Sequence, residues 1–162
     1  MICVTDANVW IDLHNADLLD AAFKLEVTWV TPDIVLHGEV GSVDSDLLVD
    51  LGLEVRSLSG TELNRIMDLN AQHPSPSPTD LSTLVVARKD DGIVVTGDGP
   101  LRRACDAEGI DVHGVLWVLD RLVEREVVAP SRAAAGLRSM VEQGSRLPER
   151  AVNRRLRQWD GG

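Results

Sequence analysis

Apolar positions along the chain follow two spacings. Short, β-branched runs at 2–5, 27–31, 53–58, 93–95 and 110–113 predict five strands. Between them apolar residues recur three or four apart, as in Val9, Leu13 and Ala16, or Val115, Leu119, Leu122 and Val123. That period predicts helices starting at Ala7 and over 16–25, 44–51, 61–71, 100–108 and 115–126. A further helix opens at Pro32, placed at its first position, and carries Ile34, Val35, Glu39 and Val40 along one side. Another starts with Thr79 as N-cap, with Leu81, Leu84 and Val85 in register, and closes in the turn Lys89-Asp90-Asp91-Gly92. Beyond residue 126 two more helices are predicted, from Pro130 to the stop at Gly144, and from Leu147-Pro148 onward.

Strands alternating with helices at this interval imply α/β architecture, a parallel sheet flanked by helices, with a helical carboxyl-terminal extension. The segment 72–78 carries three prolines, which fix φ and remove backbone donors, so it reads as a stiff loop leading to Asp80. A chain of 162 residues, 44% of them hydrophobic, is long enough for one domain with a real core. No apolar run approaches the ~18 residues of a membrane span, and the start lacks the basic-then-apolar pattern of a secretory signal. A cytoplasmic protein without membrane contact is the expectation. Cys3 and Cys105 have no metal-knuckle spacing and read as reduced core thiols.

Charge changes the picture. The formal net charge is -10, which on its own argues against a nucleic-acid partner. Its distribution argues otherwise: up to Glu54 there are eleven acids against Lys24, whereas 146–157 holds five arginines against Glu149. Part of the acidity then belongs to a cation site. Asp6 follows the first strand, Asp98 follows the fourth in the turn Thr96-Gly97-Asp98-Gly99-Pro100, Asp80 starts a helix and Glu39 lies along another. In an open parallel sheet the strand ends share one edge, and ligands bind there. Four carboxylates converging at that edge repel one another unless cations intervene. Oxygen ligands without cysteine or clustered histidine favour Mg²⁺ or Mn²⁺ over zinc. Such ions suit phosphodiester hydrolysis, since they activate water and neutralise the leaving oxygen. Asn8, Ser82 and Thr96 are candidates to hold carboxylates, waters or a phosphate, and Arg102 and Arg103 to meet a phosphate backbone. Trp10, Trp29 and Trp117 lie in apolar patterns and read as core. Trp159, on the basic tail, is the candidate for stacking on bases.

The segments VTDANVWIDL, Glu39 in a later helix, SPTDLSTLVVA and VVTGDGPLRRAC together resemble the PIN-domain ribonucleases, over about 2–122. The resemblance implies a three-layer α/β/α sandwich, with 1–126 as the nuclease domain and 127–162 as helices packed on or beside it. It implies that Asp6, Glu39, Asp80 and Asp98 bind Mg²⁺ or Mn²⁺ and act on RNA. Many such proteins are toxins of bacterial toxin–antitoxin pairs, so a small antitoxin partner and a homodimer are further expectations. Two other classes compete. A non-catalytic PIN-like module would bind RNA or protein without cutting. A phosphatase of haloacid-dehalogenase type also starts with an acid after its first strand, but needs a second acid where this chain has Asn8, which cannot donate the proton. Dinucleotide binding is excluded, because Gly97-Asp98-Gly99-Pro100 puts an anion where a phosphate would sit.

Overall fold

The computed structural model describes residues 1–39 and 43–161, without the side chains of 38 and 39. The role expected of the Glu39 carboxylate therefore lies outside the described residues. Strands β1 (Ile2–Thr5), β2 (Thr28–Pro32), β3 (Glu54–Arg56), β4 (Ile93–Val95) and β5 (Val112–His113) form one sheet in the order β3-β2-β1-β4-β5. Every neighbouring pair is parallel. The helices are α1 (Ala7–Asn15), α2 (Leu19–Ala22), α3 (Asp33–Glu39), α4 (Ser45–Leu51), α5 (Gly60–Gln72), α6 (Pro78–Asp90), α7 (Gly99–Ala107), α8 (Val115–Glu124), α9 (Pro130–Glu142) and α10 (Glu149–Asp160).

The period-two alternation of the strands divides the core. Cys3, Trp29 and Val95 point to one face and pack with α1, α2, α8, α9 and α10. Val4, Val30 and Val94, aligned across three neighbouring strands, point to the other and pack with α5, α6 and α7. The result is a three-layer α/β/α sandwich with helices at its carboxyl end.

Four local expectations are corrected. Residues 16–25 are not one helix, because Asp17 adopts a left-handed φ of 56° and turns the chain between α1 and the four-residue α2. Pro32 ends β2 instead of opening α3, since a residue without N–H stops the ladder there. Ser77, not Thr79, caps α6: it accepts from the Asp80 amide at 3.0 Å, while Pro78 takes the first helical position, which needs no N–H. Trp159 is buried in the core and offers no ring to a base, whereas Trp117 is only half-buried.

The last two helices are tied to the first. α9 packs on α1 and α8, and α10 packs on α9. A Cβ at Gly136 would lie 2.8 Å from Leu18 Cδ1 and 3.1 Å from the Ala16 carbonyl, so any larger residue would force Leu18 and the Ala16 backbone to shift. The carbonyl of Asn15, left open at the end of α1, accepts from Ser139 Oγ at 2.7 Å and Gln143 Nε2 at 3.1 Å. Arg132 donates to the Asp17 carbonyl at 3.1 Å.

Candidate active site

The strand order reverses between β1 and β4, where one half of the chain winds outward by β2 and β3 and the other by β5. Open α/β sheets bind ligands in the crevice outside such a switch point. Thr5 is in register with Val95, so the residues that follow, Asp6 and Thr96, lie side by side. Thr96 Oγ1 donates a short hydrogen bond to Asp6 Oδ2, and the Val9 amide donates to Asp6 Oδ1 at 3.1 Å as Asp6 caps α1. The same Thr96 hydroxyl accepts from the Asp98 amide at 3.0 Å. Asp98 in turn caps α7, its Oδ2 accepting from the Leu101 amide at 2.9 Å. One threonine thus links the two strand-end aspartates.

Asp80 comes from the loop side. It occupies the third position of α6, where its Oδ2 accepts from the Ser77 amide at 3.1 Å and closes a reciprocal capping box. Burial pushes the Asp6 carboxyl up to about 6, and the negative charges of Asp80 and Asp98 push the same way, against the hydrogen bonds from Thr96 and Val9. Asp6 therefore feels the charges of both Asp80 and Asp98. Each also sits at a helix amino terminus, whose dipole favours an anion there. Among the described residues none of the three is ion-paired. Also among the described residues, no group of three His, Cys, Asp or Glu side chains closes on a single point that could hold a metal ion.

The remaining candidates divide. Asn8 is exposed on the first turn of α1 and Arg103 on the first turns of α7. Arg102 is half-buried and donates to the Thr96 carbonyl at 3.3 Å, so it is tied to the end of β4. Ser82 is buried and donates to the Thr79 carbonyl at 2.5 Å within its own helix, rather than to a carboxylate. Behind the site, Trp10 Nε1 donates to Thr31 Oγ1 at 3.1 Å, and the Thr31 and Thr5 hydroxyls share a hydrogen bond of 2.8 Å. This buried network fixes the ends of β1 and β2. The sequence reading passed over Asp33, which follows β2 as Asp6 follows β1. Its Oδ1 is buried, and no donor reaches it among the described residues. The signal was the same as for Asp6, an acid directly after an apolar run.

A family model described as a PIN domain matches residues 2–161, nearly the whole chain including its last two helices. No curated protein matches the chain. Among solved structures it is similar to a PilT N-terminus domain protein from the hyperthermophilic archaeon Sulfolobus solfataricus P2. That match has a TM-score of 0.53 at 14% identity, covering 76% of this chain and 95% of the other, and bears on the fold alone. The chain belongs to the PIN-domain family, generally a metal-dependent nuclease fold.

Proposed function

We propose that this PIN domain is an endoribonuclease that hydrolyses RNA phosphodiesters with the help of Mg²⁺ or Mn²⁺, using Asp6, Glu39, Asp80 and Asp98. One observation carries the reading. A buried carboxylate, Asp6, is held at the switch point within the fields of two further acids, and among the described residues no cation pairs with any of the three. The donor set fits a hard divalent ion. It is all oxygen, and Asp80 Oδ1 and Asp98 Oδ1 accept no hydrogen bond among the described residues. Mg²⁺ is commonly held by one or two carboxylates, waters and substrate phosphates, which suits acids that do not close on one point by themselves. When bound, the ion would lower the pKa of a water and offset charge at the phosphate.

The chain's own residues set the stage for that chemistry. Thr96 fixes the rotamer of Asp6 and, through the Asp98 amide, the position of the β4–α7 turn. Ser77 does the same for Asp80. A second reading, a PIN-like module that binds RNA or protein without cutting, is favoured by one fact: all three acids already serve as helix caps. For a protein partner, an antitoxin or a second copy, we favour the β3 side of the sheet. Val55 of β3 is exposed there, as are Leu47 and Val49 on the preceding helix α4 and Leu63 and Met67 on the following helix α5. No described helix is long and apolar enough to cross a membrane.

The deciding experiment is cleavage of end-labelled RNA by purified protein with Mg²⁺ or Mn²⁺, with EDTA, and beside Asp98→Asn. Metal-dependent internal cuts that vanish in the variant are expected. Identical behaviour of the two proteins under every metal would overturn the catalytic assignment in favour of the binding module.

A further inference from the structure

Next to the Asp98 turn, a cleft of about 620 Å³ opens between α1, α8 and the segment joining α9 to α10. Its size lies within the ~300–1,000 Å³ typical of ligand sites. Gly97 forms part of its rim, so the cleft continues directly from the acidic edge. Three arginines from three separate elements reach it: Arg102 on α7, Arg146 after α9 and Arg155 on α10.

The two acids in the cleft wall are already engaged. Asp120 receives a two-pronged contact from Arg155, at 2.8 and 2.7 Å, which uses up that cation as well. Asp12 accepts from Ser145 Oγ at 2.5 Å, and burial raises its pKa. What is left over is positive. Arg146 is exposed and has no ion-pair partner among the described residues, and Arg102 leans into the cleft from the end of β4. The wall also carries an aromatic pair, His113 stacked on Trp117 at 4.7 Å with 16° between the rings. Burial lowers the His113 pKa, and Arg121 lies over the Trp117 ring at 5.2 Å from its centroid, so the His113 ring is what the pair offers a base in the cleft. Arginines without an ion pair among the described residues, beside an aromatic ring, suit a backbone whose bases are unpaired and can be splayed onto a ring.

We propose that this cleft seats the single-stranded RNA segment flanking the scissile phosphate, with Arg146 clamping a backbone phosphate and the His113–Trp117 wall meeting a base. The proposal rests on the nuclease reading for its ligand, but it assigns a task to the carboxyl-terminal segment that the acidic cluster does not.

The test is binding of a fluorescein-labelled single-stranded RNA octamer in EDTA, read by anisotropy over a salt series, so that no cutting enters the signal. Arg146→Glu and Arg146→Ala are compared with Arg150→Glu, an equal charge change at an exposed site on α10 outside the cleft. Arg146→Glu is expected to weaken binding about five- to tenfold, with Arg146→Ala less affected. The slope of log affinity against log salt is expected to flatten by about 0.7, one phosphate contact on a single strand. Arg150→Glu should shift affinity less than twofold. Equal effects at 146 and 150, or equal affinity for the duplex of the same sequence, would overturn the cleft. The nuclease reading fails separately. Arg146-dependent binding without metal-dependent cutting sinks catalysis alone, and cutting with Arg146-independent binding sinks the cleft alone.

Discussion

Helices α5 and α6 begin with the same device, and comparing the two shows how a structural acid differs from a site acid. In α5, Ser59 and Glu62 form a reciprocal capping box; in α6, Ser77 and Asp80 form another. Glu62 goes on to pair with Lys89, and that hydrogen bond, with those from Ser59, holds its carboxyl down to about 2. Asp80 has no such partner among the described residues and instead faces Asp6, which its charge makes harder to ionise. The local motif is shared. What differs is whether the fold supplies a countercharge or withholds it. A cap needs only the hydrogen bond, so an unpaired acid set near a buried one is a cost that capping does not explain.

The comparison is sharpened most by activity. Asp80→Asn keeps the capping oxygen and should lower RNA cleavage by roughly 10²-fold or more, on the scale of losing a group that acts on the reacting centre. Glu62→Gln, the matched change in α5, should leave the rate within about twofold. A similar loss in both would show that helix starts, not site charges, limit the reaction.

Stability should move the opposite way. Asp6 has a folded pKa raised to about 6, so the native state favours its protonated form, and ionisation costs stability as pH rises from about 4 through 6. Asp6→Asn should therefore be inactive yet more stable than wild type at pH 8 in EDTA, by about 1–3 kcal/mol. Denaturant melts at pH 8 and pH 4 check this, and the gap should close at the lower pH. A variant less stable at pH 8 would mean that the Thr96 and Val9 hydrogen bonds outweigh the buried charge.

Divalent ions supply a smaller shift. At ten times its dissociation constant, Mg²⁺ should stabilise the wild type by about 1.4 kcal/mol at pH 8. The gain should shrink toward pH 5 as Asp6 takes up a proton, and vanish in Asp6→Asn. Thermal melts with and without the ion read it directly.

The smallest effect belongs to the paired acid. Lys89→Ala should lower the melting temperature modestly at neutral pH. The Glu62 pairing contributes fully above the ordinary carboxylate range and is lost as pH falls from about 4.5 toward 2, so wild type and variant should converge in acid. A difference that persists at pH 2 would point to lost packing of the lysine stem instead.

The sheet, its layers and the strand-end places of Asp6 and Asp98 were legible because each is written in adjacent residues. A β-branched run followed by Asp6 or by Thr96-Gly97-Asp98 states both the strand and its end. The cap of α6 was misplaced because Ser77 and Thr79 are chemically alike, and only the preference for proline at the first helical position separates them. Asp33 escaped notice because Pro32 looked like a helix opener and drew the strand end back by a residue. The fate of Trp159 turns on α10 lying against α9, and the meeting of Arg102, Arg146 and Arg155 on three elements packing together. No local pattern encodes either.

The seam at Gly136 carries a consequence for how the molecule comes apart. α9 supplies the donors that finish α1, and α1 starts at Asp6, so the far end of the chain is mechanically in series with the acidic edge. The two should open as one cooperative unit, with amide hydrogens of α1 and α9 exchanging at a common rate. A protein shortened at residue 126 would then lose its acidic edge by fraying from behind, although no residue of that edge had been removed.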